Sequence, residues 1–202
     1  MPELPEVETT RRGIEPHIVG KAIKSVVVRQ PSLRWPVSPE LSQVMIGNRV
    51  TDIIRRAKYL LFNTKSGKMM VHLGMSGSLR ITDDSTALKK HDHIDISFDD
   101  GTVLRYHDPR RFGSVFWIPE GSSHELIDSL GPEPLSDGFN GRYLYELSRR
   151  RKLAIKLFIM NSKVVVGVGN IYANEALHAA GIRPDRSAGR ISRDRYARLS
   201  EE

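Results

Sequence analysis

Residues 130–141, Leu-Gly-Pro-Glu-Pro-Leu-Ser-Asp-Gly-Phe-Asn-Gly, are too rich in proline and glycine to sustain a helix or a central strand. They divide the chain into two parts of different character. Residues 1–141 carry 18 Lys+Arg against 18 Asp+Glu, and residues 142–202 carry 13 against 6, so the whole formal excess of +7 falls in the last third. A basic segment of this kind favours an anionic partner such as nucleic acid. The expected organisation is a first domain over 1–130, a linker over 131–141 and a second domain over 142–202.

The absence of Cys removes disulfide scaffolds, thiol nucleophiles and Cys-ligated zinc from these 202 residues. No apolar run approaches the ~18 residues of a membrane-spanning helix, and the N-terminus is acidic rather than a basic stretch followed by an apolar one. A cytoplasmic location without membrane association is expected.

Before the boundary, residues 22–29, 59–63, 68–73, 78–82, 93–98, 102–107 and 114–118 are short runs of Val, Ile, Leu and aromatics. Asp99-Asp100-Gly101 suits a tight hairpin turn between two of them. Strands at this spacing predict an antiparallel sandwich. Beyond the boundary, apolar residues at Leu144, Leu147, Ile155, Phe158 and Ile159 predict a helix over 142–160. A second helix is predicted over 171–180, closed by Gly181, and a third from about Ser192 that still runs at Glu202.

The chain opens Met-Pro-Glu-Leu-Pro-Glu-Val-Glu-Thr-Thr-Arg-Arg-Gly-Ile, with Leu4, Val7 and Ile14 on one helical face and carboxylates in the first turns. A well-built surface helix accounts for that pattern. A second reading concerns Pro2. Removal of Met1 would expose a secondary amine with a reference pKa near 7.7 to 8.0, a usable nucleophile near neutrality. Attack on a sugar C1′ would give an iminium, with Glu3 and Glu6 beside it for proton transfer.

Val164-Val165-Val166-Gly167-Val168-Gly169-Asn170 has the look of a strand entering a dinucleotide loop, but Tyr172 stands where that fingerprint needs a small residue. A glycine turn with Asn170 at a helix N-terminus, cradling one DNA phosphate, accounts for it better. Arg149, Arg150, Arg151, Lys152 and Lys156 then lie where they can neutralise flanking phosphates, although a solvated basic face explains the same charges. His91-Asp92-His93 with His72 invites a metal reading, but no ligand-rich motif accompanies it.

Pro2 to Thr9, PELPEVET, resembles the opening of the formamidopyrimidine-DNA glycosylase family, bacterial enzymes that remove oxidised purines. RRAKYL from Arg55, HLGMSGSLR from His72, KHDH from Lys90, DPRRFG from Asp108, LGPEPL from Leu130 and GVGNIYANEAL from Gly167 resemble the family's further blocks in the same order. The resemblance implies an α+β protein. Its parts would be an N-terminal helix with an antiparallel β-sandwich, then a helix-two-turn-helix DNA-binding domain ending at Glu202.

By that resemblance Pro2 is the Schiff-base nucleophile, Glu3 the proton donor at the deoxyribose and Lys58 the lysine that assists β-elimination. On spacing alone, Lys58 beside Arg55 and Arg56 reads as a phosphate or solvent lysine. Met75, Arg110 and Phe112 match the triad that fills the void left by an everted nucleotide, where an apolar wedge and a ring offset lost stacking and a guanidinium bonds the widowed base. In isolation, Met75 and Phe112 would read as core. His91, Arg110 and Lys152 resemble DNA-binding positions.

The resemblance further implies excision of 8-oxoguanine and formamidopyrimidines from damaged double-stranded DNA, followed by β-elimination at the abasic site. It implies a monomer in the bacterial cytoplasm, at the nucleoid. The family's zinc finger of four Cys has no counterpart in these residues, so no cofactor is expected in this chain. Weaker DNA affinity is expected in consequence. A catalytically impaired DNA-binding remnant is the alternative, and a structural RNA-binding module a more distant one.

Overall fold

The β-branched and aromatic runs form antiparallel strands in the computed structural model, which describes residues 2–202. The chain divides into two units, Met1–His124 and Glu125–Glu202.

The first unit opens with α1 (Leu4–Ile18), whose Val7, Ile14 and Ile18 are buried. Eight strands follow: β1 (Ile23–Val28), β2 (Asp52–Arg56), β3 (Tyr59–Thr64), β4 (Gly67–His72), β5 (Ser78–Asp83), β6 (Asp92–Phe98), β7 (Thr102–His107) and β8 (Ser114–Pro119), with a short α2 (Leu41–Val44) after β1. They make two four-stranded sheets, ordered β1-β6-β7-β5 and β2-β3-β4-β8. All pairings are antiparallel. Leu60, Phe62 and Val71 of one sheet share a core with Ile94, Ile96 and Leu104 of the other and with the buried face of α1. Each such side chain contributes about 1.5–3 kcal/mol by leaving water.

The expected α+β sandwich is therefore present. The hairpin at Asp99-Asp100-Gly101 joins β6 to β7, with Gly101 at φ +86°. Strand β2 was not anticipated, because Arg55 and Arg56 read as a solvated basic cluster. In the fold Arg55 is half-buried and bonded to Glu8 and the Ala57 carbonyl.

The second unit holds α3 (Glu125–Asp128), α4 (Gly141–Ser148), α5 (Ile155–Ile159), α6 (Asn170–Ala179), a 3₁₀ turn at Ala188–Arg190 and α7 (Arg193–Glu201). Leu144, Ile155, Phe158, Leu177 and Tyr196 form its core. Gly141 lets α4 approach α7 closely, since a Cβ there would lie 2.4 Å from the Ala197 Cα. The helix expected over 142–160 is instead two. Arg149 caps α4, Arg150 takes φ +63°, and Ala154 bridges to Ser187 before α5 begins.

The segment expected to be a linker is tied into this unit. Gly131 N–H donates to the Ser162 carbonyl, Val166 N–H donates to the Pro132 carbonyl, and Asn140 caps α4. Gly181, at φ +67°, follows α6, and Ser192 accepts the Arg195 N–H at the start of α7.

Candidate active site and nucleic-acid interface

Pro2 is half-buried where the chain enters α1, and Glu3 beside it is 3% exposed. Glu3 and Glu6 form a capping box. The Glu3 carboxylate accepts the Glu6 N–H, and the Glu6 carboxylate accepts the Glu3 N–H at 2.9 Å. The helix start thus fixes both carboxylates next to Pro2. The pairing Arg56↔Tyr59 leaves Ala57 and Lys58 as a two-residue turn, with Ala57 at φ +54°. A non-glycine residue held there is strained, a condition concentrated at functional sites. Burial pushes the Lys58 ammonium below its ordinary pKa, while the charges of Glu3 and Glu6 pull it back up. Four of the expected residues, Pro2, Glu3, Glu6 and Lys58, therefore share one locality.

His72 adjoins them, since it is the strand partner of Tyr59, with ring centroids 4.9 Å apart. Burial, then the charges of Lys58 and Arg34, lowers its pKa to about 4. Gly74 N–H donates to His72 Nδ1 at 3.0 Å, so the neutral ring carries its proton on Nε2.

Met75 and Phe112 are each 43% exposed, and Arg110 lies with its guanidinium 4.8 Å from the Phe112 ring centroid. Neither apolar side chain belongs to the core. Their two loops are joined at Gly74, whose Cβ, if present, would lie 2.4 Å from the Gly113 nitrogen. They are also joined through Asp108, which is 0% exposed. Its carboxylate accepts from the Ser76 hydroxyl at 2.7 Å, the Gly113 N–H at 2.9 Å and the Tyr106 hydroxyl at 3.0 Å. Ser76 Oγ in turn accepts the Arg110 N–H at 3.2 Å. Burial, then the Asp108 charge, pushes the Tyr106 pKa upward, so that hydroxyl remains a donor.

His91 sits at φ +75° and its carbonyl accepts the Asp108 N–H, so it hangs on the same residue. Its pKa is lowered by burial and by Lys90, His93, His107 and Arg111. Buried Asp92 anchors the preceding segment by accepting from Lys89 N–H at 2.8 Å, Arg80 at 2.6 Å and His107 Nδ1 at 2.8 Å. Two histidines of the metal reading are engaged separately, His93 Nε2 with the Asp108 carbonyl at 2.8 Å and His72 Nδ1 with the Gly74 N–H at 3.0 Å.

In the second unit, Lys152 is exposed between α4 and α5, Lys156 lies on α5, and Asn170 is exposed at the first turn of α6. Val164–Val166 are buried in turns rather than a strand, and Gly167 takes φ +81°. Arg149, grouped with the phosphate-facing cations, is committed elsewhere. It lies 3.8 Å over the Tyr145 ring and donates to the carbonyls of Tyr145 and Ile191.

Residues 1–115 match the model of the formamidopyrimidine-DNA glycosylase N-terminal domain, and residues 130–202 match that of the formamidopyrimidine-DNA glycosylase H2TH domain. The chain belongs to the formamidopyrimidine-DNA glycosylase family. It is 56% identical to the formamidopyrimidine-DNA glycosylase of Stenotrophomonas maltophilia (strain K279a) over 201 residues, covering 100% of this chain and 74% of that one. With that of Stutzerimonas stutzeri the figures are 58% over 202 residues, 100% and 75%. Among solved structures, the Lactococcus lactis enzyme non-covalently bound to DNA with an AP site superposes with a TM-score of 0.91 at 32% identity, covering 98% of this chain and 77% of that one. MutM in complex with DNA containing carbocyclic 8-oxo-G gives 0.92 at 33%, covering 99% and 76%.

Four residues of this chain bear on the site without having been singled out for it: Arg34, His72, Ser76 and Asp108. His72, Ser76 and Asp108 lie inside the quoted blocks, but their partners are brought to them only by the fold. Arg34 lies outside every block. Family membership also implies a four-Cys zinc site. None of the 202 residues is Cys, and no cluster of three His, Asp or Glu among the described residues suits a metal. These residues do not fit that ion.

Proposed function

We propose that the chain is a bifunctional DNA glycosylase and abasic-site lyase of base excision repair, acting on oxidised purines in duplex DNA. The observation that carries the reading is the juxtaposition, on one helix start and one turn, of Pro2, buried Glu3 and a lysine held below its ordinary pKa by burial. Such a constellation suits amine catalysis.

Loss of Met1, which lies outside the described residues, turns the Pro2 nitrogen from an amide into a secondary amine. Its lone pair bonds to C1′, the glycosidic C–N bond breaks, and the departing base takes up the proton that the new ammonium releases. Glu3 donates a proton to the deoxyribose ring oxygen, and the nitrogen lone pair opens the C1′–O4′ bond to give an iminium and a 4′-hydroxyl. Lys58 assists removal of a C2′ proton, the 3′-phosphate departs, and water hydrolyses the iminium to regenerate Pro2. Amine and carboxyl suffice for these steps without a metal.

In the same reading Met75, Arg110 and Phe112 enter the duplex where the nucleotide leaves, while His91, Lys152, Lys156 and Asn170 hold the backbone. A rigid mount favours this, because eversion costs a few kcal/mol that preformed contacts must offset. The protein acts as a monomer in the bacterial cytoplasm, at the nucleoid. No helix among the described residues is long and apolar enough to cross a membrane.

The test is release of 8-oxoguanine and strand scission on a duplex carrying one lesion, using the chain after removal of Met1. Base release followed by scission is expected, and N-terminal acetylation should abolish both. A chain that binds the duplex yet releases no base and cuts no abasic site would be a silent DNA-binding remnant.

A further inference from the structure

The arginines of the first unit differ in their partners. Arg11, Arg12, Arg29, Arg55, Arg80 and Arg105 each pair with a carboxylate. Arg49 forms no ion pair among the described residues but donates to the Gly20 carbonyl. Arg34, Arg110 and Arg111 form none either. These three converge on one open cleft of roughly 530 Å³, completed by Ser32, Leu33 and Phe112 and lined by no acidic side chain.

Three unneutralised guanidinium groups repel one another, at a cost that an anion between them removes. The walls are also held in place. Arg34 N–H donates to the Gly113 carbonyl at 3.1 Å, joining the loop around Arg34 to the loop that carries Arg110 and Phe112. The Arg34 loop is itself closed by Val37 N–H donating to the Pro31 carbonyl at 2.8 Å and by a Ser32–Pro36 bridge. Arg111 is held at φ +55°, its N–H bonded to the Asp108 carbonyl at 3.2 Å. Trp35, next to Arg34, is 48% exposed. Arginines with exposed aromatic surface are the chemistry of a nucleic-acid backbone seat.

We propose that this cleft seats a backbone phosphate of the DNA, gripped by Arg34 and Arg111 beside the residues that enter the duplex. The proposal rests on the DNA-binding reading above and extends it to two cations and a loop with no role in it. Arg34 and Arg111 would then fix how deep Phe112 and Arg110 reach.

The experiment measures affinity for a duplex with one abasic-site analogue against salt, for the unaltered chain, Arg34→Ala, Arg34→Lys, Arg111→Ala and, as a control, Arg12→Ala on α1. Each phosphate that is no longer neutralised should reduce the slope of log K against log salt by about 0.9. The expected result is that reduction in Arg34→Ala and Arg111→Ala, recovery in Arg34→Lys and no change in Arg12→Ala. A duplex series with one neutral methylphosphonate at a time then locates the seat, because at one position the unaltered chain and Arg34→Ala should bind equally. Unchanged slopes, or a difference that persists at every methylphosphonate position, would overturn the proposal while leaving DNA binding intact. Inorganic phosphate titrated alone tests the other source of the same anion. Its capture, lost in Arg34→Ala without a change in DNA slope, would also overturn the proposal. An unaltered chain that does not bind the duplex would overturn this inference and the proposed function together.

Discussion

The Ser76 hydroxyl donates a 2.7 Å hydrogen bond to the buried carboxylate of Asp108, 32 residues further along the chain. That bond joins the turn bearing Met75 to the loop bearing Arg110 and Phe112. An amide at position 108 offers one acceptor oxygen where three donors now converge. Asp108→Asn should therefore cost about 1–3 kcal/mol of stability, and Ser76→Ala about 1 kcal/mol. Both should reduce the preference for abasic over undamaged duplex. Thermal unfolding and the ratio of the two dissociation constants check this; an unchanged ratio in both variants would separate the loops' rigidity from recognition.

His72 makes stability depend on acidity in a defined direction. Its pKa in the folded chain is about 4, against an ordinary 6.5. Between those values the unfolded chain binds a proton that the folded chain does not, so stability falls as pH falls through this window and levels off below it. The ring is neutral in the fold near pH 7, with its proton on Nε2. His72→Gln should flatten the stability profile between about pH 6.5 and 4 relative to the unaltered chain. Denaturant titration across that range is the measurement.

Arg105 is the buried cation of the sheet that carries His91. It donates to both oxygens of Asp95, at 2.8 and 2.9 Å, and lies 3.8 Å from Asp92. Arg105→Leu would leave buried carboxylates short of a partner and should destabilise the first unit by about 3–5 kcal/mol. Chemical denaturation would show it, and a loss under about 1 kcal/mol would mean that Arg29 and Arg80 suffice.

The first unit was largely legible because its strands are bounded by turn residues and spaced by hairpins. Strand β2 escaped because its Arg55 is neutralised by Glu8, 47 residues away. The break between α4 and α5 escaped for a related reason. A run of Arg and Lys favours helix locally, and what ends α4 is a tertiary bond from Arg149 to the Ile191 carbonyl together with the Ala154–Ser187 bridge. Pro2, Glu3 and Lys58 were singled out because their blocks resemble a family's, and the fold brings them into one locality. Asp108 as the joint of two loops, and Arg34 as a wall of a cleft, depend on partners that no local spacing reveals.

Lys58 should matter to elimination more than to base release. Lys58→Gln should slow strand scission at a preformed abasic site by roughly 100-fold or more while base release changes less. In the unaltered chain the scission rate should rise with pH and level off below the ordinary lysine value of 10.5, because burial lowers this ammonium's pKa. Single-turnover rates across pH would show both, and an unchanged scission rate in the variant would remove Lys58 from the chemistry.

The central claim is that the Pro2 nitrogen becomes bonded to the sugar. Borohydride reduction of the chain on a duplex with one abasic site, followed by peptide mass spectrometry, tests it most directly. The account predicts a stable adduct on the peptide that begins at Pro2, absent after N-terminal acetylation. An adduct on Lys58 or another amine, or none from a chain shown to lack Met1 and to bind the duplex, would contradict it.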